Sequence, residues 1–213
     1  VMMQRVCPVS GSSNWVSVFE SETGRIITGD QRICSGNLEK VICPESGVIS
    51  NKNRFSDYDI EILYGEEYEL NVLGKEEHFF YTESGPKARS EVFFDWIQPH
   101  LPESFSSLIE IGCGEGNLLS RISEKFPEKS VSGIDGSFKA VKLAEAKGLN
   151  VQRKLILGNE DLPLADLYLL VNVIEHVEDI SLFINNLKQS LAANGRIIFC
   201  LPVQDYGGYD IFF

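Results

Sequence analysis

The stretch IEIGCGEGNLL, Ile109–Leu119, constrains this chain more than any other. Apolar residues run as a strand into Gly112, Gly114 and Gly116, and an amphipathic segment follows at once. Glycine has no Cβ, so three in alternate positions let the backbone turn through positive φ and let a ligand approach the main chain. A bare strand-to-helix turn is the alternative, but it does not call for three glycines. Strand, tight turn and helix form the first half of a βαβ unit.

The pattern repeats downstream. SVSGID (Ser130–Asp135) reads as a second strand. The helix after it, Ser137–Gly148, has Ser137 as its N-cap and Gly148 past its end. NVQRKLILG reads as a third strand and DLYLLVN (Asp166–Asn172) as a fourth. Ile180–Gly195 reads as a helix and RIIFCLP (Arg196–Pro202) as a fifth strand. Strands alternating with helices predict an α/β domain with a parallel sheet covered on both faces. Ligands bind such sheets beyond the carboxyl ends of the strands. Upstream, Ala88, Val92, Phe93, Trp96 and Ile97 recur at helical spacing, and Pro99 and Pro102 end that helix.

Asp135, at the end of the second strand, is placed to accept hydrogen bonds from both hydroxyls of a ribose. Nicotinamide enzymes use an acid in the same way. Their G-x-G-x-x-G turn would need glycine at position 117, which is Asn117 here. The observed Glu110-x-Gly112-x-Gly114-x-Gly116 instead resembles motif I of class I S-adenosylmethionine (SAM) dependent methyltransferases. The resemblance covers roughly residues 80–205 and implies a Rossmann-like class I sheet with strands one to five present. It implies SAM as cofactor, held by Glu110, Gly112, Gly114, Gly116, Asp135 and Gly136. In that family the loop after strand three carries an acid or amide beside the adenine. Asn159, Glu160 and Asp161 are the candidates, with Glu160 and Asp161 favoured. Asn172 would face the methionine part. Ala192-Ala193-Asn194-Gly195 stands where the family has Lys-Pro-Gly-Gly.

His176, just after strand four, is the candidate catalytic base. A structural role is the alternative, because Glu-His-Val recurs here in relatives with different acceptors. Arg89 is a candidate for the SAM carboxylate or a solvated helix residue. Phe138 would pack by the adenine or be buried in its helix. Tyr81, Tyr206 and Tyr209 lie in segments that would wall the acceptor site. His78 and His100 read as surface residues.

Residues 1–50 form a different region, with short β-like runs at Trp15–Phe19, Gly24–Thr28 and Lys40–Pro44. They carry CPVSG (Cys7–Gly11) and CPESG (Cys43–Gly47). Paired Cys-Pro-x-Cys-Gly turns are how a small zinc ribbon holds its metal, but Ser10 and Ser46 replace the second cysteine of each turn. A structural zinc site uses four Cys or His ligands. Only Cys7, Cys43 and Cys34 remain, with no nearby histidine, so the expectation is a metal-free, degenerate ribbon-like module. A ribbon ahead of this kind of core resembles methyltransferases of sugar and cell-surface polysaccharide biosynthesis. That resemblance implies a small polar acceptor such as a sugar or nucleotide sugar.

Residues 51–105 are an acidic and aromatic linker plus helix, and 106–213 the SAM-binding core. A complete class I sheet has two further strands after the fifth. The chain stops at YGGYDIFF, so the core is expected to be truncated. A non-catalytic SAM-binding or scaffold protein and a nicotinamide oxidoreductase are the rival readings.

Bulk properties remove other classes. Net charge is −12, with 19 Lys+Arg against 31 Asp+Glu. A nucleic-acid binder needs a dense basic face. No run of eighteen apolar residues predicts a membrane span. Five cysteines at scattered spacing do not form a disulfide framework. They suit a reducing, cytoplasmic setting, with a small molecule as the partner.

Overall fold

The structure, a computed structural model, describes residues 6–27, 33–52, 61, 64–65, 77–158, 160–177 and 179–201. The chain divides into two compact units, with the break after Ser56. Residues Asp57–Val203 group with the parallel sheet.

In the N-terminal unit, β1 (Val16–Glu20), β4 (Glu39–Ile42) and β5 (Ile49–Asn51) make an antiparallel sheet in the order β1-β4-β5. β2 (Arg25–Ile27) and β3 (Ile33–Ser35) form a separate hairpin. Its described core is small: Cys7, Val41 and Cys43 are buried, while every residue of β1 is exposed. A unit with so little apolar burial has few contacts to offset the entropy of ordering its chain.

The second unit opens with a hairpin, β6 (Phe79–Thr82) and β7 (Gly85–Ala88), which the helical periodicity upstream of Ser106 does not announce. It runs into α1 (Arg89–Ile97). The five parallel strands follow: β8 (Ser107–Ile111), β9 (Ser130–Asp135), β10 (Val151–Arg153), β11 (Ala165–Val171) and β12 (Leu191–Cys200). They lie in the order β10-β9-β8-β11-β12. The chain fills one side of β8 first and then crosses to the other, which puts the switch point between β8 and β11.

The strand period of two sorts side chains into two cores. Ile109, Ile111, Tyr168 and Leu170 face one cluster with Phe183 and Leu187 of α4 (Ile180–Gln189). Leu108, Leu167 and Leu169 face the other, with Phe93 and Ile97 of α1 and Ile122 of α2 (Asn117–Lys125). Leu169 is fully buried at the centre. Its truncation to Ala would cost about 2–5 kcal/mol.

Capping follows the expected chemistry. Ser137 accepts from the Ala140 amide at 3.2 Å to start α3 (Phe138–Ala146), and Gly148 follows its end with φ +79°. Asp179 accepts from the Leu182 amide at 2.9 Å to start α4. Two elements differ from the sequence pattern. The last helix stops at Gln189, and Leu191–Gly195 belongs to β12, where a register shift against β11 absorbs the Ala-Ala-Asn-Gly segment. Asn194 takes φ +66° there. The third strand stops at Arg153, because Leu155 and Ile156 leave the ladder and turn into a cavity.

Candidate functional site

A cavity of about 180 Å³ opens at the carboxyl ends of β8, β9 and β11. Gly112, Gly114, Asp135, Gly136, Asn172 and His176 are on its wall.

The glycine turn splits its labour. Gly112 has φ +69°, and a Cβ there would sit 2.4 Å from Val173 Cγ2. Gly116 also has positive φ, but a Cβ on it would meet Leu149 at 2.4 Å and Ala144 at 3.1 Å. Gly116 therefore admits the end of α3 and is not on the wall. Asp135 clasps the turn: Oδ2 accepts from the Gly114 amide at 2.7 Å and Oδ1 from the Ser137 amide at 2.8 Å. Burial pushes its carboxyl above the usual range, and the Ser137 and Gly114 amides pull it part of the way back. Each oxygen keeps a lone pair for a further donor.

Glu110 lies in β8, one residue before the cavity. It is 3% exposed, and its Oε2 has no hydrogen-bond partner among the described residues. Burial and the neighbouring Asp135 push it up to about 8, against the opposing pull of Arg89. A buried acid with one orphaned oxygen beside a second raised acid suits a cationic ligand, because a positive charge would favour ionisation of both. That feature, with a glycine floor and an acid able to take two hydroxyls, fits a nucleoside sulfonium such as SAM.

Asn172 ends β11 with φ +54°, and its amide donates to the Cys200 carbonyl at 2.9 Å. His176 sits in the 3₁₀ turn after β11. The cavity walls crowd its imidazole and lower its pKa, while the adjacent Glu175 pulls the other way. The residue stays open to solvent on one side, and with its pKa lowered from an ordinary 6.5 His176 is largely neutral at pH 7. Tyr64 is also on the wall, with its hydroxyl 3.3 Å from His176 Nδ1.

Other expected residues are placed elsewhere. The Glu160 carboxylate accepts from the Leu157 and Gly158 amides at 2.6 and 3.0 Å, and the Asp161 carbonyl accepts from Lys154. Neither lines the cavity, where Leu155 and Ile156 are found instead. Asn159, Tyr206 and Tyr209 lie outside the described residues. Phe138 is neither buried nor on the wall; it is 58% exposed beneath the Lys142 ammonium. Arg89 lies over the Phe93 ring at 4.9 Å. Tyr81, His78 and His100 are exposed. Tyr64 was invisible to sequence patterns because it belongs to no periodic segment. Leu155 and Ile156 carry an apolar signal that fits a strand equally well.

Residues 109–197 match the family model described as a methyltransferase domain. This part of the chain is similar to a methyltransferase domain. The probable (S)-tetrahydroprotoberberine N-methyltransferase 2 of Papaver bracteatum is 28% identical over 102 residues, which is 43% of this chain and 27% of that protein. A coclaurine N-methyltransferase structure, bound to N-methylheliamine and S-adenosylhomocysteine (SAH), shares the fold with TM-score 0.50 and 17% identity. The match covers 59% of this chain and 40% of that one. The plantazolicin methyltransferase BpumL in complex with SAH is 24% identical over 48% of this chain and 41% of its own, with TM-score 0.41. The chain thus spans less than half the length of these relatives.

Outside the matched residues, the two N-terminal turns form a second cluster. The Gly11 amide donates to the Cys7 carbonyl at 2.9 Å and the Gly47 amide to the Cys43 carbonyl at 2.8 Å. The turns face each other: Cys7 Sγ lies 3.1 Å from Ser46 Oγ, and Ser10 Oγ 3.3 Å from Cys43 Sγ. Burial pushes the Cys7 thiol up, but hydrogen bonds from Ser10, Ser46 and the backbone outweigh it and bring it down to about 6. Two thiols and two neutral hydroxyls are not the donor set of a structural zinc. Among the described residues no three Cys, His, Asp or Glu side chains are grouped as metal ligands. No helix among them is long and apolar enough to cross a membrane.

Proposed function

We propose that this cavity binds SAM and that the chain serves methyl transfer to a small polar acceptor, a sugar or nucleotide sugar being the class suggested by the N-terminal turns. The observation that carries the reading is Asp135 clasping the glycine turn at the switch point of the sheet, with lone pairs left for ribose hydroxyls. Leu155 and Ile156 offer the adenine an apolar surface. Glu110 and Asn172 serve the methionine end. Glu160 and Asp161 act at one remove, by holding the loop that presents Leu155 and Ile156.

Bound SAM supplies a methyl group activated by a sulfonium. The protein's own part is alignment and proton handling, and alignment alone accounts for much of the rate in such displacements. Neutral His176 takes the proton of an acceptor hydroxyl, amine or acidic carbon as the acceptor gains its methyl. A nucleophile that needs no base would leave His176 to orient the acceptor.

The test is calorimetric titration with SAH of wild type and Asp135→Ala. Micromolar binding is expected, weakened on the order of a hundredfold in the variant, since bonds to a charged acceptor are worth about 1.5–3 kcal/mol each. Unchanged affinity would remove Asp135 from the site, and no binding by folded wild type would remove SAM. Turnover of labelled SAM with a sugar and nucleotide-sugar panel then tests the acceptor. SAH binding without turnover on any acceptor would favour a SAM-binding scaffold.

A further inference from the structure

Arg153 closes β10 outside the cavity wall, yet it touches both sides of the site. Its Nε donates to the carbonyl of Gly136 at 3.1 Å, and Gly136 is on the wall next to Asp135. Its Nη2 makes an ion pair and hydrogen bond with Glu61. Gly65 is buried against the same guanidinium: a Cβ there would sit 2.8 Å from Arg153 Nη2 and 3.2 Å from Glu61 Oε1. Tyr64 lies between these anchors. Its ring meets the His176 ring edge-on, with centroids 6.1 Å apart at 64°.

We propose that Arg153 and Glu61 are a positioning pair for the reaction centre: their ion pair holds Tyr64 against His176 and so selects the imidazole tautomer that faces the acceptor. This rests on the reading of His176 as the base. A neutral imidazole carries one N–H, and the partner of one ring nitrogen decides what the other does. A base role requires the form in which Nδ1–H donates to the Tyr64 oxygen and Nε2 keeps its lone pair. Arg153 adds a link to the cofactor side, because the same guanidinium holds the Gly136 carbonyl. An exposed ion pair is weak alone, but here Gly65, next to Tyr64, has no side chain to push the pair away and lies directly on it.

The experiment is 15N correlation spectroscopy of the histidine side chains. The chain has three histidines, His78, His100 and His176, so His176→Asn assigns the signal. Wild type should show the Nδ1–H form at His176, and Tyr64→Phe should move the signal toward the other tautomer. Glu61→Gln and Arg153→Gln should move it the same way, and Glu61→Arg combined with Arg153→Glu should bring it back. SAH affinity of Glu61→Gln should stay within about fivefold of wild type, the scale of an exposed ion pair. A purely structural role would lower the melting temperature of these variants and leave the His176 tautomer unmoved. The proposal falls if Tyr64→Phe has no effect on the signal, or if it does and neither Glu61→Gln nor Arg153→Gln has any. Failure of wild type to bind SAH would overturn the cofactor reading instead and would leave the spectra to decide the pair.

Discussion

The two N-terminal turns and the glycine turn after β8 use the same backbone device for opposite ends. Each bends through glycines with positive φ: Gly11 at +74° and Gly47 at +76° in one, Gly112 at +69° and Gly116 at +76° in the other. Around Gly11 and Gly47 there is open space, with nothing within 4 Å of an added Cβ. Gly112 and Gly116 are tightly packed. The polar partners differ as well. The N-terminal turns hold each other through thiol–hydroxyl contacts, so the replacement of two thiols by hydroxyls leaves a shape that hydrogen bonds can maintain. The glycine turn is held by Asp135, whose two carboxylate oxygens no neutral side chain of similar size reproduces.

The comparison is sharpened most by restoring the missing donors. Ser10→Cys with Ser46→Cys should take up one zinc per chain by metal analysis, and chelator should then lower the melting temperature of the N-terminal unit. Structural zinc in small peptides contributes about 10–16 kcal/mol, and even a fraction of that is a large shift. A double variant that stays free of zinc would show that the turns no longer face each other with ligand geometry. One zinc per chain in wild type would break the comparison from the other side.

Glu110→Gln comes next. Its carboxyl stands near 8 in the folded protein against an ordinary 4.5. A raised folded value gives full stability below the unfolded value and loses it as pH rises through the folded one. Wild type without cofactor should therefore lose stability between about pH 4.5 and 8, by up to a few kcal/mol, and Glu110→Gln should flatten that slope. Parallel urea-unfolding curves of the two proteins across this range would contradict the account.

The glycines give the smaller, paired effects. Gly112→Ala must displace Val173 and carry left-handed strain, at about 2–5 kcal/mol together. Gly47→Ala carries the strain alone, about 1–2 kcal/mol. Denaturation of each unit, followed by hydrogen exchange, reads both. Equal costs would mean that the packing difference is energetically irrelevant. Ser46→Ala should cost least, about 1 kcal/mol for one hydrogen bond, and should raise the pKa of Cys7 measured by thiol alkylation rate.

How much of this was legible in the chain alone depends on distance. Local signals located β8, β9, β11, α2 and α3, because a strand of alternating apolar residues, a glycine turn and a serine cap each act within a few residues. Asp135 and Gly112 were legible for the same reason: they sit at the ends of strands whose direction the pattern reveals. The early end of β10, the hairpin β6–β7 and the Ala192–Gly195 irregularity were not, since each depends on what lies beside it in the sheet or cavity.

Sequence by itself determined the parallel α/β class, the glycine turn with its acid, and the one cysteine and one serine in each of the paired turns. Those are matters of residue type and spacing, and the chemistry of a carboxylate or a thiol does not wait for the fold. Only the tertiary structure decided that Gly116 serves packing, that Glu160 holds its own loop, and that Leu155, Ile156 and Tyr64 reach the cavity. It also brought Cys7 to Ser46, and set Glu61 on Arg153. These contacts join residues far apart in the chain, and a side chain's role is settled by which neighbours share its space.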